Sequence, residues 1–330
     1  NAFFVERLQN EFNGNKDRGD TVVTILDADL QQASYDALGD NRGAVVVMEA
    51  DTGKILAMVS KPDFDPNNIY ADWNTLISDE TNSPLLNRAT NGAYAPGSVF
   101  KIVTTLAYMR QNADYQSYTY DCAGRIEVGN TSIACFNGTV HGFEDLRSSF
   151  ANSCNSSFCN IGRLLDISEY RQTAKDLLFN SSLPGVLDYK KSSFALDESS
   201  GEAEIMMTAM GQGKTMVSPY HMALITQSIA NGGTLMEPYL VDKVTNYTGS
   251  EVRKNVPKSY KRLMTSEEAA QLKEYMTAVV NEGTGSVLSG RSYTVAGKTG
   301  TAEYSQSDGE KTHSWFVGFT NVDNPELVIS

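Results

Sequence analysis

The spacing of apolar and polar positions predicts strands within the first sixty residues of this 330-residue chain. "TVVTIL" (21–26) is a short β-branched run, and "DADLQQASYDAL" (27–38) has the apolar spacing of an amphipathic helix that starts at an Asp. "GAVVVMEADTGKILAMVS" (43–60) holds two apolar runs that flank the turn residues Asp51-Thr52-Gly53. That arrangement is typical of a β-hairpin.

Strand signals return at the C-terminal end of the chain. The three strands predicted there are "SYTVAGKTGTAEY" (292–304), "HSWFVGFT" (313–320) and "ELVIS" (326–330). Strands at both ends with mainly helical patterns between them predict an α+β fold. In that fold an antiparallel sheet built from both chain ends is flanked by helices and by an all-helical lobe.

The middle of the chain is predicted to be mostly helical, from about residue 115 to residue 290. Polar stretches at 111–145 and 180–203 are predicted to be loops within it. Residues 61–94 are rich in Asn, Asp and Pro and are predicted to form a long loop, and loops of that length are usually functional.

Composition narrows the possible partners. The formal net charge is −13, and the chain has no basic stripe, so neither nucleic acid nor anionic lipid headgroups are expected to bind. No run of 18 or more apolar residues occurs, and residue 1 is Asn. We expect residues 1–20 to be the remnant of an upstream linker or pedestal, and residues 21–330 to form one folded domain.

The cysteines and histidines give no metal signature. No CxxC pair and no Cys/His cluster with the usual zinc spacing occurs, so neither a structural metal nor a cofactor is expected. Cys122 and Cys135 could form a disulfide in an oxidising compartment, although spacing alone does not fix the pairing. Cys154 and Cys159 are expected to pack as small apolar groups, and each of the three histidines to be a surface or packing residue.

A serine and a lysine stand at the start of the most apolar predicted helix. In "APGSVFK" (95–101) Ser98 follows a Pro-Gly turn, and the apolar run 99–109 is typical of a buried helix. Ser98 and Lys101 are at i and i+3, so they would share a helix face. A serine becomes nucleophilic when a base takes its proton, and burial lowers the pKa of a lysine enough for it to be that base. A capping serine followed by a partly exposed lysine is the alternative.

Two further polar motifs are candidates for the same site. "NSCNSSF" (152–158) holds Ser153 and Asn155 at i and i+2, a spacing that implies a turn rather than one helix face. "GKTGTAE" (297–303) lies in the C-terminal strand signal, where Lys298 supplies a cation. Either motif alone could be an ordinary polar loop or strand.

The "GKTGTAE" motif also has features suited to binding a peptide. Thr299 and Thr301 supply hydroxyls for a substrate carboxylate. Gly300 leaves the strand surface bare, so that a peptide-like ligand could lie along it by strand addition.

In this order the three motifs resemble those of penicillin-binding proteins and serine β-lactamases, which carry S-x-x-K, S-x-N and K-T-G elements. The resemblance covers most of the chain, from the hairpin to the final strand. Further segments resemble the penicillin-binding transpeptidases in particular: "RGAVVVMEADTGKILAMVS", "NRATNGAYAPGSVFKIVT", "SSFANSCNSSF", "TAMGQG", "EGTGS", "AGKTGTAEYS" and "SWFVGF".

The resemblance implies a role for each motif residue. Ser98 would be the nucleophile that becomes acylated, and Lys101 would be its general base. Ser153 would relay a proton to the leaving amine, while Asn155 would hold Lys101 and the substrate amide. Lys298 would orient Ser153 electrostatically.

The same resemblance implies how a substrate is bound. Thr299 and Thr301 would bind its terminal carboxylate, next to Gly300. The backbone N–H groups of Ser98 and Thr301 would form the oxyanion hole, which is often the largest catalytic contribution. The family's last strand is normally followed by a covering helix, so the family pattern also implies a helix after residue 330.

The resemblance further implies a monofunctional, class B transpeptidase that attacks the D-alanyl-D-alanine end of a wall stem peptide and passes the acyl group to an amine. The best-known β-lactamases carry, after S-x-N, a Glu followed four residues later by Asn. None of the glutamates between 160 and 205 has that neighbour, so slow hydrolysis is expected; they are Glu169, Glu198, Glu202 and Glu204. A D,D-carboxypeptidase, a β-lactamase and a β-lactam sensor domain remain alternatives.

Partners and location follow from the same resemblance. The expected ligands are a peptidoglycan stem peptide and β-lactam antibiotics, and the expected protein partner is a polytopic membrane glycosyltransferase. The expected location is the extracytoplasmic face of the bacterial cytoplasmic membrane.

Overall fold

A computed structural model describes residues 19–306 and 309–330. The segment 1–20, predicted to be a linker remnant, lies almost entirely outside the described residues, so that expectation stays a prediction. Among the described helices, none combines the length and the apolarity needed to cross a bilayer.

The strands are short except for the last long hairpin. They are β1 (Thr21–Thr24), β2 (Gly43–Glu49), β3 (Ile55–Lys61), β4 (Thr119–Cys122), β5 (Arg125–Val128), β6 (Thr131–Ala134), β7 (Gly142–Asp145), β8 (Thr234–Met236), β9 (Val241–Thr245), β10 (Glu251–Lys254), β11 (Ser259–Arg262), β12 (Val295–Gln306), β13 (Gly309–Thr320) and β14 (Leu327–Ile329).

The α-helices lie mostly between the two groups of sheet strands. They are α1 (Ala28–Leu38), α2 (Ile69–Ser78), α3 (Lys101–Gln111), α4 (Leu146–Ala151), α5 (Asn155–Leu164), α6 (Ile167–Asp176), α7 (Glu202–Ala209), α8 (Pro219–Ala230) and α9 (Ser266–Asn281).

The central sheet is antiparallel and is built from both ends of the chain, in the order β12-β13-β14-β2-β3. This confirms the predicted α+β fold class and the hairpin, in which Val45 pairs with Val59. The short strand β14 joins the C-terminal hairpin to the N-terminal one. Strand β12 is at the edge of the sheet, so one side of its backbone is open to a ligand.

The core lies between this sheet and the most apolar helices. All twelve residues of α8 are buried where the helix packs against β2, β13 and β14. Helix α9 packs against β12 and α8, and α3 packs against α9 and α6. Helix α3 is buried from Lys101 through Met109, as the apolar run predicted. Because neighbours surround it, the lysine at its start is held in a dry environment.

The prediction for the middle of the chain was partly wrong. The predicted loop 61–94 contains helix α2, and the predicted polar loop 111–145 contains strands β4 to β7. The predicted helical stretch also contains β8 to β11 at 234–262. These strands have only three to five residues, and every residue of β10 and β11 is exposed. An apolar alternation cannot be recognised in so short and polar a segment.

Two glycines bring distant loops into backbone contact beside Ser98. The N–H of Gly97 donates to the carbonyl of Gly211 at 2.8 Å, and both glycines have positive φ, +56° and +97°. A Cβ on Gly211 would overlap the Gly97 carbonyl, and a Cβ on Gly97 would lie 2.5 Å from the carbonyl oxygen of Thr301. The turn that carries Ser98 is therefore held against both "TAMGQG" and β12 through backbone atoms that only glycine leaves accessible.

Gly211→Ala should destabilise the protein by on the order of 3 kcal/mol, because it combines an unfavourable φ with a backbone overlap. Chemical denaturation monitored by circular dichroism measures this. Gly201→Ala is the matched control, since a Cβ there meets nothing within 4 Å and φ is −73°. Equal stability of the two variants would show that the Gly97–Gly211 approach is not a constraint.

Candidate active site

A cleft of about 1080 Å³ lies along the edge strand β12. The structure brings most of the sequence-predicted site residues to its wall, although they come from three separate parts of the chain. Those lining it are Ser98, Ser153, Asn155, Thr299, Gly300 and Thr301. Lys101 and Lys298 are fully buried and reach Ser153 from within the fold.

Ser98 lies on a 3₁₀ turn, Gly97–Phe100, that leads directly into α3. In a 3₁₀ turn the side chains at i and i+3 project in the same direction, so Ser98 and Lys101 are aligned even though the α-helix begins only at Lys101. The backbone N–H of Lys101 donates to the Ser98 carbonyl and closes the turn. The side chains of Val99 and Phe100 are buried and fix the turn to the core.

The Lys101 amine is held by the S-x-N segment. Its Nζ donates to the Ser153 carbonyl at 2.7 Å, to Asn155 Oδ1 at 2.8 Å and to Ser153 Oγ at 3.2 Å. The contact with Asn155 agrees with the role that the resemblance implied. The Asn155 amide nitrogen donates to the carbonyl of Ala134 at 3.3 Å, which ties the segment to β6. Complete burial lowers the pKa of Lys101 to about 8.

Lys298, on strand β12, contacts the same Ser153 hydroxyl. Its Nζ donates to Ser153 Oγ at 2.9 Å and to the carbonyl of Thr299 at 3.1 Å. Burial lowers the pKa of Lys298 well below its usual value, and repulsion from Lys101 lowers it further. Two buried amines that share one hydroxyl cannot both be fully charged without a large cost, so one of them is readily deprotonated. The arrangement suits a proton relay through Ser153.

Ser153 stands in the turn between α4 and α5, as the i, i+2 spacing predicted. Its φ is +56°, a conformation that non-glycine residues seldom adopt and that costs energy unless the surroundings impose it. The N–H of Ser153 donates to the Phe150 carbonyl, and the next residue, Cys154, caps α5 by accepting from the N–H of Ser157. The position of the Ser153 hydroxyl therefore depends on how firmly the residues around it are held.

Alternate residues of β12 face opposite ways. Lys298 and Ala302 are buried, whereas Thr299 and Thr301 line the cleft. Gly300 is buried too, and its backbone also lines the cleft, so the predicted ligand contact there stays a prediction. A Cβ on Gly300 would lie 3.0 Å from both the backbone nitrogen and Cγ1 of Val99, so the missing side chain also makes room for the Ser98 turn.

Thr284, which the sequence did not indicate as a site residue, belongs to the same wall of the cleft. Its hydroxyl is 2.5 Å from that of Thr299. The preceding Gly283 packs so closely on the Ala151 carbonyl that a side chain there would overlap it. The signal was present, since both residues lie in the "EGTGS" segment, but the sequence could not show that this segment meets β12.

The cysteines form an arrangement that the sequence predicted only in part. No disulfide joins Cys122 and Cys135, whose sulfurs are 3.7 Å apart. The ligand atoms of Cys122, Cys135, His141 and Cys154 all lie within 4.8 Å of one another, so a Cys/His cluster exists that the sequence spacing had not revealed. Cys154 and Cys159 are both buried among apolar groups, as expected. Cys154 packs with Cys122 and Cys135, and Cys159 packs in the core near Met206 and Met210.

The buried His221 fits its expected packing role. Its ring nitrogen Nε2 is 2.7 Å from the Leu177 carbonyl, and the ring packs against Phe179. Burial lowers its pKa to about 4, so it is neutral at ordinary pH and lies in the core rather than in the cleft wall.

Comparison with known proteins shows the family of the chain. The model of the penicillin-binding protein transpeptidase domain matches residues 43–330. The peptidoglycan D,D-transpeptidase PbpA of Mycolicibacterium smegmatis is 30% identical over 99% of this chain and 70% of its own length.

Two solved structures are similar across nearly the whole chain. The ceftriaxone acyl-enzyme complex of penicillin-binding protein A from M. tuberculosis has a TM-score of 0.89 and 30% identity, and the match covers 99% of this chain and 77% of that one. A D,D-transpeptidase domain from Eggerthella lenta has a TM-score of 0.87 and 30% identity over 94% of this chain and 77% of its own. The chain belongs to the penicillin-binding protein transpeptidase family.

Proposed function

We propose that this chain is the catalytic domain of a class B penicillin-binding protein, a D,D-transpeptidase that cross-links peptidoglycan stem peptides through a serine acyl-enzyme. The observation that carries the proposal is the Ser153 hydroxyl, held at 3.2 Å from Lys101 Nζ and 2.9 Å from Lys298 Nζ beside the turn of Ser98. A buried hydroxyl between two amines is suited to moving protons between a nucleophile and a leaving group.

In the first step Ser98 Oγ attacks the carbonyl carbon of the penultimate D-alanine. Its proton passes to the neutral Lys101 amine, which burial keeps available as a base. The C–N bond then breaks, and the departing amine takes up a proton through the Ser153 hydroxyl. D-alanine leaves, and the stem peptide remains esterified to Ser98. A β-lactam follows the same path, except that its ring opens and no fragment departs.

Substrate binding uses the open edge of β12. The peptide would lie along this edge as an added strand, with its terminal carboxylate at the hydroxyls of Thr299 and Thr301. Thr284 lies 2.5 Å from Thr299 and helps to fix the first of these hydroxyls. The backbone N–H groups of Ser98 and Thr301 would stabilise the developing oxyanion.

The second step transfers the acyl group to an amine, because among the described residues 160–205 no glutamate has the Asn neighbour of the best-known β-lactamases. Three of the glutamates that follow the S-x-N segment form ion pairs, at 2.6 to 2.9 Å: Glu198 with Arg171, Glu202 with Arg163 and Glu204 with Lys214. Within the described part of the chain, the carboxylates that line the cleft are Glu282 and Glu303. Arg147 holds Glu282 at 2.8 Å, which leaves Glu303 as the carboxylate to test.

Membership of this family also supports a location outside the cytoplasm. A transpeptidase that acts on cell-wall peptide works outside the cytoplasm, and we propose that it does so at the outer face of the cytoplasmic membrane. We further propose a polytopic glycosyltransferase as the partner that supplies glycan strands, and residues 21–330 as the extent of the catalytic domain.

Ser98→Ala should abolish covalent labelling by penicillin G. The wild-type chain should gain the mass of one intact penicillin molecule, since ring opening expels no atom, and the variant should gain none. Intact-mass spectrometry measures the adduct. Ser132→Ala is the control, because Ser132 also lines the cleft and should label fully. An adduct on the Ser98 variant would overturn the assignment of the nucleophile.

Acylation should accelerate as the pH rises and level off above about 8, where Lys101 becomes neutral. Below that pH the rate should fall about tenfold per unit, since only the unprotonated amine accepts the proton. Stopped-flow measurement of nitrocefin or fluorescent penicillin acylation gives the profile. Lys101→Ala should lower the rate by about 10²–10⁴-fold and remove the profile, whereas the exposed Lys214→Ala should keep both. A flat wild-type profile between pH 6 and 9 would contradict the role of Lys101 as base.

The penicillin adduct should persist for hours, and Glu303→Gln should leave its lifetime unchanged. Time-resolved intact mass after removal of free penicillin measures this. Turnover within seconds in the wild type, lost on Glu303→Gln, would favour the β-lactamase alternative instead.

A further inference from the structure

Four potential metal ligands converge beside the S-x-N turn, and none of them has a part in the proposed reaction. Cys122 ends β4, Cys135 follows β6, His141 precedes β7 and Cys154 caps α5. The three cysteines are almost completely buried, with exposed fractions of 0 to 3%, and His141 is half-buried at the cleft wall. The fold therefore collects four ligating groups from four separate segments at one point.

The distances agree with a tetrahedral site. Zinc binds thiolate sulfur at about 2.3 Å and imidazole nitrogen at about 2.0 Å, so sulfurs on one tetrahedral ion are about 3.8 Å apart. The Cys135 sulfur is 3.7 Å from that of Cys122 and 3.8 Å from that of Cys154. His141 Nδ1 is 3.4 Å from the Cys122 sulfur. All pairs lie within 4.8 Å, a spread that small side-chain movements can close.

Polar groups around the sulfurs suit thiolates better than thiols. The backbone N–H groups of Gly124 and Ser157 donate to Cys122 and Cys154, each at 3.4 Å. The hydroxyl of the fully buried Ser156 is 3.1 to 3.4 Å from all three cluster sulfurs. Donors that converge on metal-bound sulfur orient the ligands and disperse their negative charge.

The short strands β4 to β7 would also be stabilised by a metal that links them. Strands β4 to β7 form two separate two-stranded pairs of four residues each, and pairs of that size are marginally stable alone. Ile126 and Ile133 anchor the β5–β6 pair to the core, but Phe136, Val140 and Phe143 around the cluster are more than 60% exposed, so the loops that carry the ligands have little apolar cover. A metal can supply the cohesion that a small core cannot.

We propose that Cys122, Cys135, His141 and Cys154 bind one zinc ion in a closed, structural Cys₃His site. Three thiols and one imidazole in tetrahedral proximity favour zinc over calcium or magnesium, which prefer oxygen ligands. On binding, the three thiols release their protons and the four ligands fill the coordination shell. The ion has no open position for a water molecule, so it takes no chemical step.

The site acts on the reaction by positioning. Cys154 lies between Ser153 and Asn155, and Cys135 follows Ala134, whose carbonyl accepts from the Asn155 amide. Fixing these two cysteines to one ion holds the strained backbone of Ser153, with its φ of +56°, and thereby the hydroxyl that both lysines contact. This part of the inference rests on the proposed function, whereas the metal site itself does not.

Metal content tests the site directly. Purified without chelators, the chain should carry about one zinc ion, measured by inductively coupled plasma mass spectrometry. Replacement by Co²⁺ should give the intense visible and thiolate charge-transfer bands of a tetrahedral cobalt–sulfur site. Cys122→Ser and Cys135→Ser should lose both signals, and Cys159→Ser, which removes a buried cysteine outside the cluster, should keep them.

A cysteine variant could lose zinc simply by failing to fold, so a milder substitution in the same ligand set is also needed. His141→Ala, at a half-buried loop position, should lower zinc affinity at least tenfold in competition with a chromophoric chelator. Zinc removal should lower the melting temperature of the wild type, and added zinc should restore it. A metal-free wild-type chain whose melting temperature ignores zinc, bound iron in place of zinc, or a mass deficit showing a Cys122–Cys135 disulfide would each overturn the site.

The rate of penicillin acylation tests whether zinc positions Ser153. Zinc removal should slow penicillin acylation by at least tenfold, and added zinc should recover the rate. Ser98→Ala should keep its zinc while losing its label, so a failure of the nucleophile is distinguishable from a failure of the metal site. If the zinc-free chain acylates at the wild-type rate, the metal site stands but its role in positioning Ser153 is refuted.

Discussion

The structure depends on the burial of two lysine amines around one serine hydroxyl. Lys101 and Lys298 are both 0% exposed, and both donate to Ser153 Oγ. Such burial is unfavourable for charged groups, and a protein tolerates it only where surrounding hydrogen bonds and packing fix the geometry. The same unfavourable burial makes an amine basic enough to take a proton but not permanently charged. Catalytic capacity and local instability thus have one origin.

Several other features of the fold hold these amines in place. Lys101 begins a helix whose next eight residues are buried, and Lys298 lies on the inner face of β12. The two elements meet through Gly97 and Gly300, and Gly211 lets a third segment reach the backbone of Gly97. A larger residue at Gly97 or Gly300 would separate the turn of Ser98 from the edge strand, and one at Gly211 would push its own loop away from that turn. These glycines therefore contribute by allowing the segments to approach closely, although none of them carries a functional group.

The sequence predicted the parts of this arrangement that local patterns encode. The hairpin at 43–60, the buried helix after Ser98 and the C-terminal strands have clear periodicity, so the sheet from both chain ends could be inferred. The polar motifs predicted eight candidate site residues, because each motif combines residue types that the chemistry requires, and the fold brings all eight to one cleft. Strands β4 to β11 escaped recognition because three to five mostly polar residues carry no periodic signal. The sequence could not show that Gly300 also makes room for Val99, because that contact exists only in the folded chain.

The Cys/His cluster escaped recognition for the same physical reason. Zinc motifs are recognised when ligands come in pairs on one turn, but here each ligand comes from a different segment, and successive ligands are 13, 6 and 13 positions apart. Only the folded arrangement of the β4–β7 and β5–β6 pairs against α5 brings them together. The cluster and the catalytic motif then share a backbone, since Cys154 is the middle residue of S-x-N. A metal bound by this ligand set would hold the wall of the cleft beside Ser153, so stabilising this region and positioning Ser153 would be a single structural requirement.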